Sequence, residues 1–199
     1  MACKPISKFN VLLVGGGGVG KTSLGCRLKT GAFVDKDSCT FGVDTWDIQF
    51  QTNRDDHIHV SLFDFGGQNR GGPIRVEQYR GKSADGAIIM YDVLCRASKK
   101  EVNAVLEDCL TACESIPIVI VGNKVDSIDE ETKTKVIKEW EKMTKVGKAR
   151  PFFPMSVKGN VGLLEPFQYL MRHLTGDDQL KLIPSDAPDF VIVTTDMCS

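Results

Sequence analysis

The chain has 199 residues, 42% of them apolar and 26% charged, a globular balance that suits one domain of ordinary size. Its 25 basic and 26 acidic residues leave a formal net charge of −1, which excludes a global cationic field for gripping nucleic acid and the acidic character of a disordered chain. No apolar run reaches the length of a membrane span, and Met1-Ala2-Cys3-Lys4-Pro5 carries neither a secretory stretch nor a myristoylation glycine.

Phe9 to Val14 is a short apolar run ending at four glycines and reads as a buried strand. Lys21 to Thr30 has helical spacing, with Leu24 and Leu28 on one face and Gly31 as its stop. Val43–Gln51 and Ile58–Phe63 read as strands joined by the polar turn Thr52-Asn53-Arg54-Asp55-Asp56, a hairpin. Gly86–Tyr91 and Ile116–Val121 are continuous apolar runs, as strands covered on both faces tend to be. Between them a helix carries Val102, Val105, Leu106, Cys109, Leu110 and Cys113. A charged amphipathic helix around Lys133–Thr144, a short strand near Phe152–Met155 and a last helix around Leu163–Leu174 follow. This alternation predicts an α/β fold: a mainly parallel six-stranded sheet, helices on both faces and one antiparallel hairpin strand. The domain is expected over residues 8–174, with 175–199 as a short tail. Five aspartates against one lysine give that tail −4, leaving 24 basic and 21 acidic groups, or +3, in residues 1–174.

The seven cysteines (3, 26, 39, 95, 109, 113 and 198) are odd in number and scattered, which argues against a disulfide framework and for a reducing compartment. Cys109 and Cys113, one helical turn apart, read as small packed hydrophobes in preference to a metal pair. His57 and His59 share a strand face that reads as solvated.

Gly15-Gly16-Gly17-Gly18-Val19-Gly20-Lys21-Thr22 matches GxxxxGK[ST], placed after a strand and opening a helix. Glycines let the backbone wrap closely round a polyphosphate, with loop amides and the helix N-terminus facing the anion. Lys21 supplies a point charge and the Thr22 hydroxyl a ligand for Mg²⁺. Asn123-Lys124-Val125-Asp126 follows an apolar strand. A carboxylate there can accept from guanine N1–H and N2–H, a pairing that adenine does not offer, and such a site discriminates by about 10⁴ or more. As a bare motif, Asp126 also fits a helix cap or turn. Asp64-Phe65-Gly66-Gly67 closes another strand. There Asp64 suits a water ligand of Mg²⁺, the Gly67 amide suits a γ-phosphate, and Gln68 can both accept from and donate to an attacking water. Ser156-Val157-Lys158 offers backbone N–H groups to the guanine carbonyl.

In this order and spacing, these segments resemble the Ras superfamily of small GTPases. Within it the chain is most similar to the Ran family of nuclear-transport GTPases. The carrying residues are Thr30-Gly31-Ala32-Phe33, Thr40-Phe41-Gly42-Val43, Phe50-Gln51-Thr52-Asn53-Arg54, Ala87–Val93, Cys113–Val119, Glu165-Pro166-Phe167 and Gly176-Asp177. The resemblance implies a GTP-hydrolysing switch with Mg²⁺. It assigns Gly16 to Ser23 to the phosphates, and Phe33, Lys36, Asp37, Ser38, Cys39 and Thr40 to a first switch in which Phe33 packs on the base and Thr40 ligates the metal. Lys21 and Gln68 would be catalytic, with metal contacts from Thr22, Thr40 and, through water, Asp64.

The resemblance further implies importin- and exportin-type receptors, an exchange factor and an activating protein as partners, no lipid anchor, and a place in nucleus and cytoplasm. The chain departs from the family at Asp37, where a tyrosine lid is usual, and at DFGGQ, where DTAGQ is usual: Phe65 adds an apolar group and Gly66 is expected to loosen the backbone. The family's long acidic C-terminal extension is not expected here, and Asp196-Met197-Cys198-Ser199 does not match a CaaX box. With no arginine between Phe33 and Thr40, intrinsic hydrolysis is expected to be slow. A weakly hydrolysing GTP-binding module and a non-prenylated trafficking or signalling GTPase stay open as alternatives. A P-loop kinase has no use for Asn123–Asp126.

Overall fold

The computed structural model describes residues 7–34, 40–54, 56–67, 73–113, 115–144 and 150–183. In chain order these form β1 (Ser7–Gly15), α1 (Lys21–Thr30), β2 (Val43–Thr52), β3 (His57–Phe65), α2 (Pro73–Arg80), β4 (Gly86–Asp92) and α3 (Arg96–Ala112). β5 (Ile118–Asn123), a single turn at Val125–Ser127, α4 (Glu130–Thr144), β6 (Phe152–Pro154), α5 (Glu165–Thr175) and β7 (Leu182–Ile183) complete the domain. The sheet runs β6-β5-β4-β1-β3-β2-β7. β1 is parallel to both β3 and β4, β5 and β6 continue the parallel half, and β2 is the reversed strand, antiparallel to both β3 and β7.

β1 shows why the core has two halves. Val11 and Leu13 face α1 and α5, meeting Leu24, Leu28, Phe167, Leu170 and Met171. Leu12 and Val14 face the other way, in the cluster that holds Val102, Val105 and Cys109 of α3, Tyr79 of α2 and Trp140 of α4. Every apolar residue of β1 from Val11 to Val14 is therefore buried, as a central parallel strand requires. Strand order reverses direction at β1, between β3 and β4. That places a crevice at the carboxyl end of β1, where open α/β sheets bind ligands.

Among the described residues the sheet has seven strands, where the sequence predicts six. β7 is two residues long, too short for a periodic signal, and is recruited by side chains. Leu182 is buried and pairs with Thr52. Its N–H donates to Gln168 Oε1 at 2.7 Å, and Lys181 N–H donates to Asn53 Oδ1 at 2.8 Å. Arg54 grips Asp177 with two hydrogen bonds of 2.9 and 3.0 Å. The first residues of the segment read as a tail thus lie against the β2–β3 turn and α5, whereas 184–199 lie outside the described residues. Helix α2 is also absent from the sequence reading. It opens on Pro73, whose missing N–H costs nothing at a helix start, and anchors through Tyr79.

Cys109 on α3 and Cys113 just past its end are buried in the core, as packed hydrophobes should be. His57 and His59 line an open groove of about 580 Å³ with Asp47, Gln49 and Gln51, floored in part by Leu28 and Ile48. No helix among the described residues is long and apolar enough to cross a membrane.

Candidate functional site

The loop between β1 and α1 occupies the crevice. Gly20 takes φ +99, and a Cβ there would stand 2.4 Å from Asn123 Nδ2, so both backbone and space require glycine. Gly16 and Val19 are buried, Gly17 and Gly18 are exposed, and Ser23 lies half-buried on the first turn of α1. Lys21 is buried, with Nζ donating to Gly15 O at 3.0 Å and Gly16 O at 2.7 Å. Burial pushes its pKa down to about 8, against the pull of Asp64 and Glu101. The ammonium is thus held by loop carbonyls inside the cradle, ready to meet a stronger anion.

Three oxygen-bearing side chains from separate elements meet beside it. Thr22 Oγ1 donates to Asp64 Oδ2 at 2.6 Å and lies 2.8 Å from Thr40 Oγ1. Thr22 has one hydroxyl proton, so Thr40 is the donor in the second contact. Asp64 is fully buried, and its Oδ1 has no hydrogen-bond partner. Burial raises its pKa, opposed by the Thr22 hydroxyl, the Lys21 charge and the Trp46 N–H. Among the described residues no three His, Cys, Asp or Glu side chains cluster to hold a metal. A cation here would rest on one carboxylate, two hydroxyls and ligand phosphates. That hard-oxygen set fits Mg²⁺, and the unpartnered Asp64 oxygen fits a metal-bound water.

The second-switch segment departs from expectation in a specific way. Gly66 does not loosen the chain: its N–H donates to Gly42 O at 2.9 Å, and a Cβ would stand 2.3 Å from Thr40 O. Glycine is what allows the two switch segments to touch. Phe65 turns away from the site and meets Tyr79 of α2 edge-on at 4.8 Å. Gly67 lies against the loop, where a Cβ would be 2.3 Å from Gly16 O. Gln68 lies outside the described residues, as do Lys36, Asp37, Ser38 and Cys39. Phe33 is half-buried against the α1–α5 core, while Phe41 is 90% exposed beside Thr40.

The base-side loops are bound together by Asn123, which is buried at the end of β5. Its Nδ2 donates to Val19 O at 2.8 Å, and its Oδ1 accepts from Val157 N–H at 3.0 Å. Asn123 is thus a structural tie between the phosphate loop and the Ser156 loop. Lys124 is in the left-handed region at φ 70 and pairs with Asp92 at 2.8 Å. Asp126 is exposed, with Oδ1 accepting from Ser156 Oγ at 2.5 Å and Oδ2 from Ser127 Oγ at 3.3 Å. Ser156 and Val157 are buried and Lys158 is exposed. Arg27, which the sequence does not flag, donates from α1 to Asn160 Oδ1 at 3.2 Å and Lys158 O at 3.4 Å.

A glycine-rich loop between β1 and α1, a buried lysine and a hydroxyl–carboxylate cluster at a sheet's switch point define a P-loop nucleotide-binding protein. The Ras family model matches residues 10–176. The chain belongs to the Ras family, whose members are small GTPase switches that bind GTP and GDP with Mg²⁺ and are served by exchange factors and activating proteins.

Proposed function

We propose that the chain is a Ran-like GTPase acting in nucleocytoplasmic protein transport. The convergence of Lys21, Thr22, Thr40 and Asp64 at the carboxyl ends of β1 and β3 carries the switch reading. The Ran-like assignment is supported by the residues quoted above for the resemblance, from Thr30-Gly31-Ala32-Phe33 to Gly176-Asp177. In this reading Asp126 accepts from guanine N1–H and N2–H, in place of its present partners Ser156 and Ser127. Ser156, Val157 and Lys158 frame the base carbonyl, and Phe33 packs on the ring.

Thr22 and Thr40 would hold Mg²⁺, with Asp64 holding it through a water. When bound, that ion neutralises phosphate charge. Lys21 leaves the Gly15 and Gly16 carbonyls for the phosphates, the Gly67 amide reads the γ-phosphate, and Gln68 holds the attacking water in line. Lys36, Asp37, Ser38 and Cys39 belong to the first switch. With no arginine there, an activating protein that supplies the missing charge accelerates hydrolysis by about 10³–10⁵-fold. The protein works in nucleus and cytoplasm, exchanging importin- and exportin-type receptors.

Affinity capture with GTP-loaded and GDP-loaded protein tests the reading. GTP-selective retention of importin-type receptors supports it. Retention of membrane-tethering partners instead overturns the transport assignment while leaving the switch chemistry in place. GTP that stays bound without acceleration by an arginine-bearing activating protein overturns the hydrolytic one.

A further inference from the structure

Trp46 stands on the face of β2 that α1 covers. In the β2–β3 register Trp46 pairs with Leu62 and Asp44 pairs with Asp64, so Trp46 and Asp64 are diagonal neighbours on one face. An aromatic side chain spans that diagonal. The helix above repeats the pairing: Thr22 and Gly25, one turn apart on α1, sit over Asp64 and Trp46 respectively. A Cβ at Gly25 would lie 2.4 Å from Trp46 Cδ1 and Nε1. The nitrogen edge of the indole is therefore pressed into the notch that Gly25 leaves.

Trp46 Nε1, a donor only, and Asp64 Oδ1, an acceptor, are buried in this corner and neither makes a well-formed hydrogen bond, although the indole N–H already lies close enough to Asp64 to favour its carboxylate. Buried polar groups in proteins are nearly always paired, so this loosely met donor and acceptor point to a bond that tightens in another state of the site. We propose that Trp46 is a positioning residue for the metal-site carboxylate, its indole N–H donating to Asp64 Oδ1 when Mg²⁺ is bound. With Thr22 on Oδ2 and Trp46 on Oδ1, both carboxylate oxygens are fixed, and each keeps a lone pair for the metal's water. Mg²⁺ occupancy then changes the environment of the indole.

The inference rests on reading Thr22, Thr40 and Asp64 as the Mg²⁺ site. The test uses full-length GDP-loaded protein carrying Trp140→Phe, so that Trp46 is the single emitter of the chain's two tryptophans. Mg²⁺ is titrated while Trp46 emission and GDP release are followed. Trp46→Phe, which keeps an aromatic ring in the notch, and Trp46→His, which keeps an N–H, are compared in the wild-type background by GDP release. Expected are a Trp46 emission change that saturates with Mg²⁺, a loss of Mg²⁺ affinity of roughly 10- to 100-fold in Trp46→Phe, and partial recovery in Trp46→His. Melting of the Mg²⁺-free protein should be nearly the same in wild type and Trp46→Phe. Wild-type Mg²⁺ affinity in Trp46→Phe overturns the proposal alone. Equal losses in Trp46→Phe and Trp46→His, matched by lower melting, reduce Trp46 to packing and also overturn it. GDP release in the wild type that ignores Mg²⁺ overturns the metal-site reading and the proposal together.

Discussion

Replacing Asn123 with alanine removes a side chain that bonds the phosphate loop and the Ser156 loop at the same time. Its two hydrogen bonds, 2.8 Å to Val19 O and 3.0 Å from Val157 N–H, are both buried. The residues left behind, Val19 and Val157, are 1% and 2% exposed, so water does not replace the lost partner. Each orphaned backbone group costs about 1–3 kcal/mol, which puts the pair at about 4 kcal/mol. Against a stability of about 5–15 kcal/mol for a domain of this kind, that lowers the melting temperature by roughly 8–16 °C. The check is guanidinium unfolding with GDP at a fixed excess, so that ligand linkage is constant and the midpoint moves without a change in slope. Asn123→Asp separates the halves. It keeps the acceptor for Val157 N–H but sets a carboxylate oxygen against Val19 O, so it should destabilise the protein and speed GDP release. A fall of less than about 1 kcal/mol in Asn123→Ala refutes the idea that this side chain ties the two loops.

Asp126→Asn replaces an acceptor with an amide that presents N–H to the base. It should weaken GTP and favour xanthosine triphosphate, whose C2 carbonyl needs a donor, and unchanged preference in competition binding removes Asp126 from base reading. Lys21, lowered to about 8 by burial, is largely neutral in the nucleotide-free protein above that pH and must regain its proton to pair with phosphate. Nucleotide affinity should therefore fall as pH rises from 8 towards 10.5, with proton uptake on binding seen by calorimetry in buffers of different ionisation enthalpy and lost in Lys21→Met. Gly67→Ala would set a Cβ 2.3–2.4 Å from the backbone of Gly16 and Gly17. Overpacking of about 2 kcal/mol predicts single-turnover hydrolysis slowed about 30-fold with GDP affinity nearly unchanged, and a wild-type rate refutes the contact's role.

What the sequence reveals depends on whether a signal is local. Helix α1 is read from Lys21 to Thr30 because both ends carry glycines and the interior repeats every turn; Gly31 indeed closes it at φ 78, its N–H bonding Arg27 O. β4 and β5 are legible because strands buried on both faces leave uninterrupted apolar runs. Helix α2 is not, since its anchoring contact, Phe65 on Tyr79, joins residues fourteen apart across the Gly-rich segment. β7 depends on Asn53 and Gln168, which lie far from it in sequence. Gly66 misleads for the opposite reason. Taken locally a glycine is freedom, yet the carbonyl of Thr40 fills the space where its side chain would be.

The same distinction separates the motif residues from those that hold them. Ten residues of α1 reach every part of the site. Lys21 and Thr22 face the phosphate and metal positions, Gly25 receives Trp46, and Arg27 holds Lys158 O and Asn160 in the base loop. Leu24 and Leu28 fix the helix in the core under the sheet. A displacement of α1 along its axis would therefore disturb metal, phosphate and base contacts together, without any of the signature residues changing. Only the first two of these positions belong to a motif. Gly25 and Arg27 act on the chemistry through other residues, and that action becomes visible only once strand register and helix packing are known.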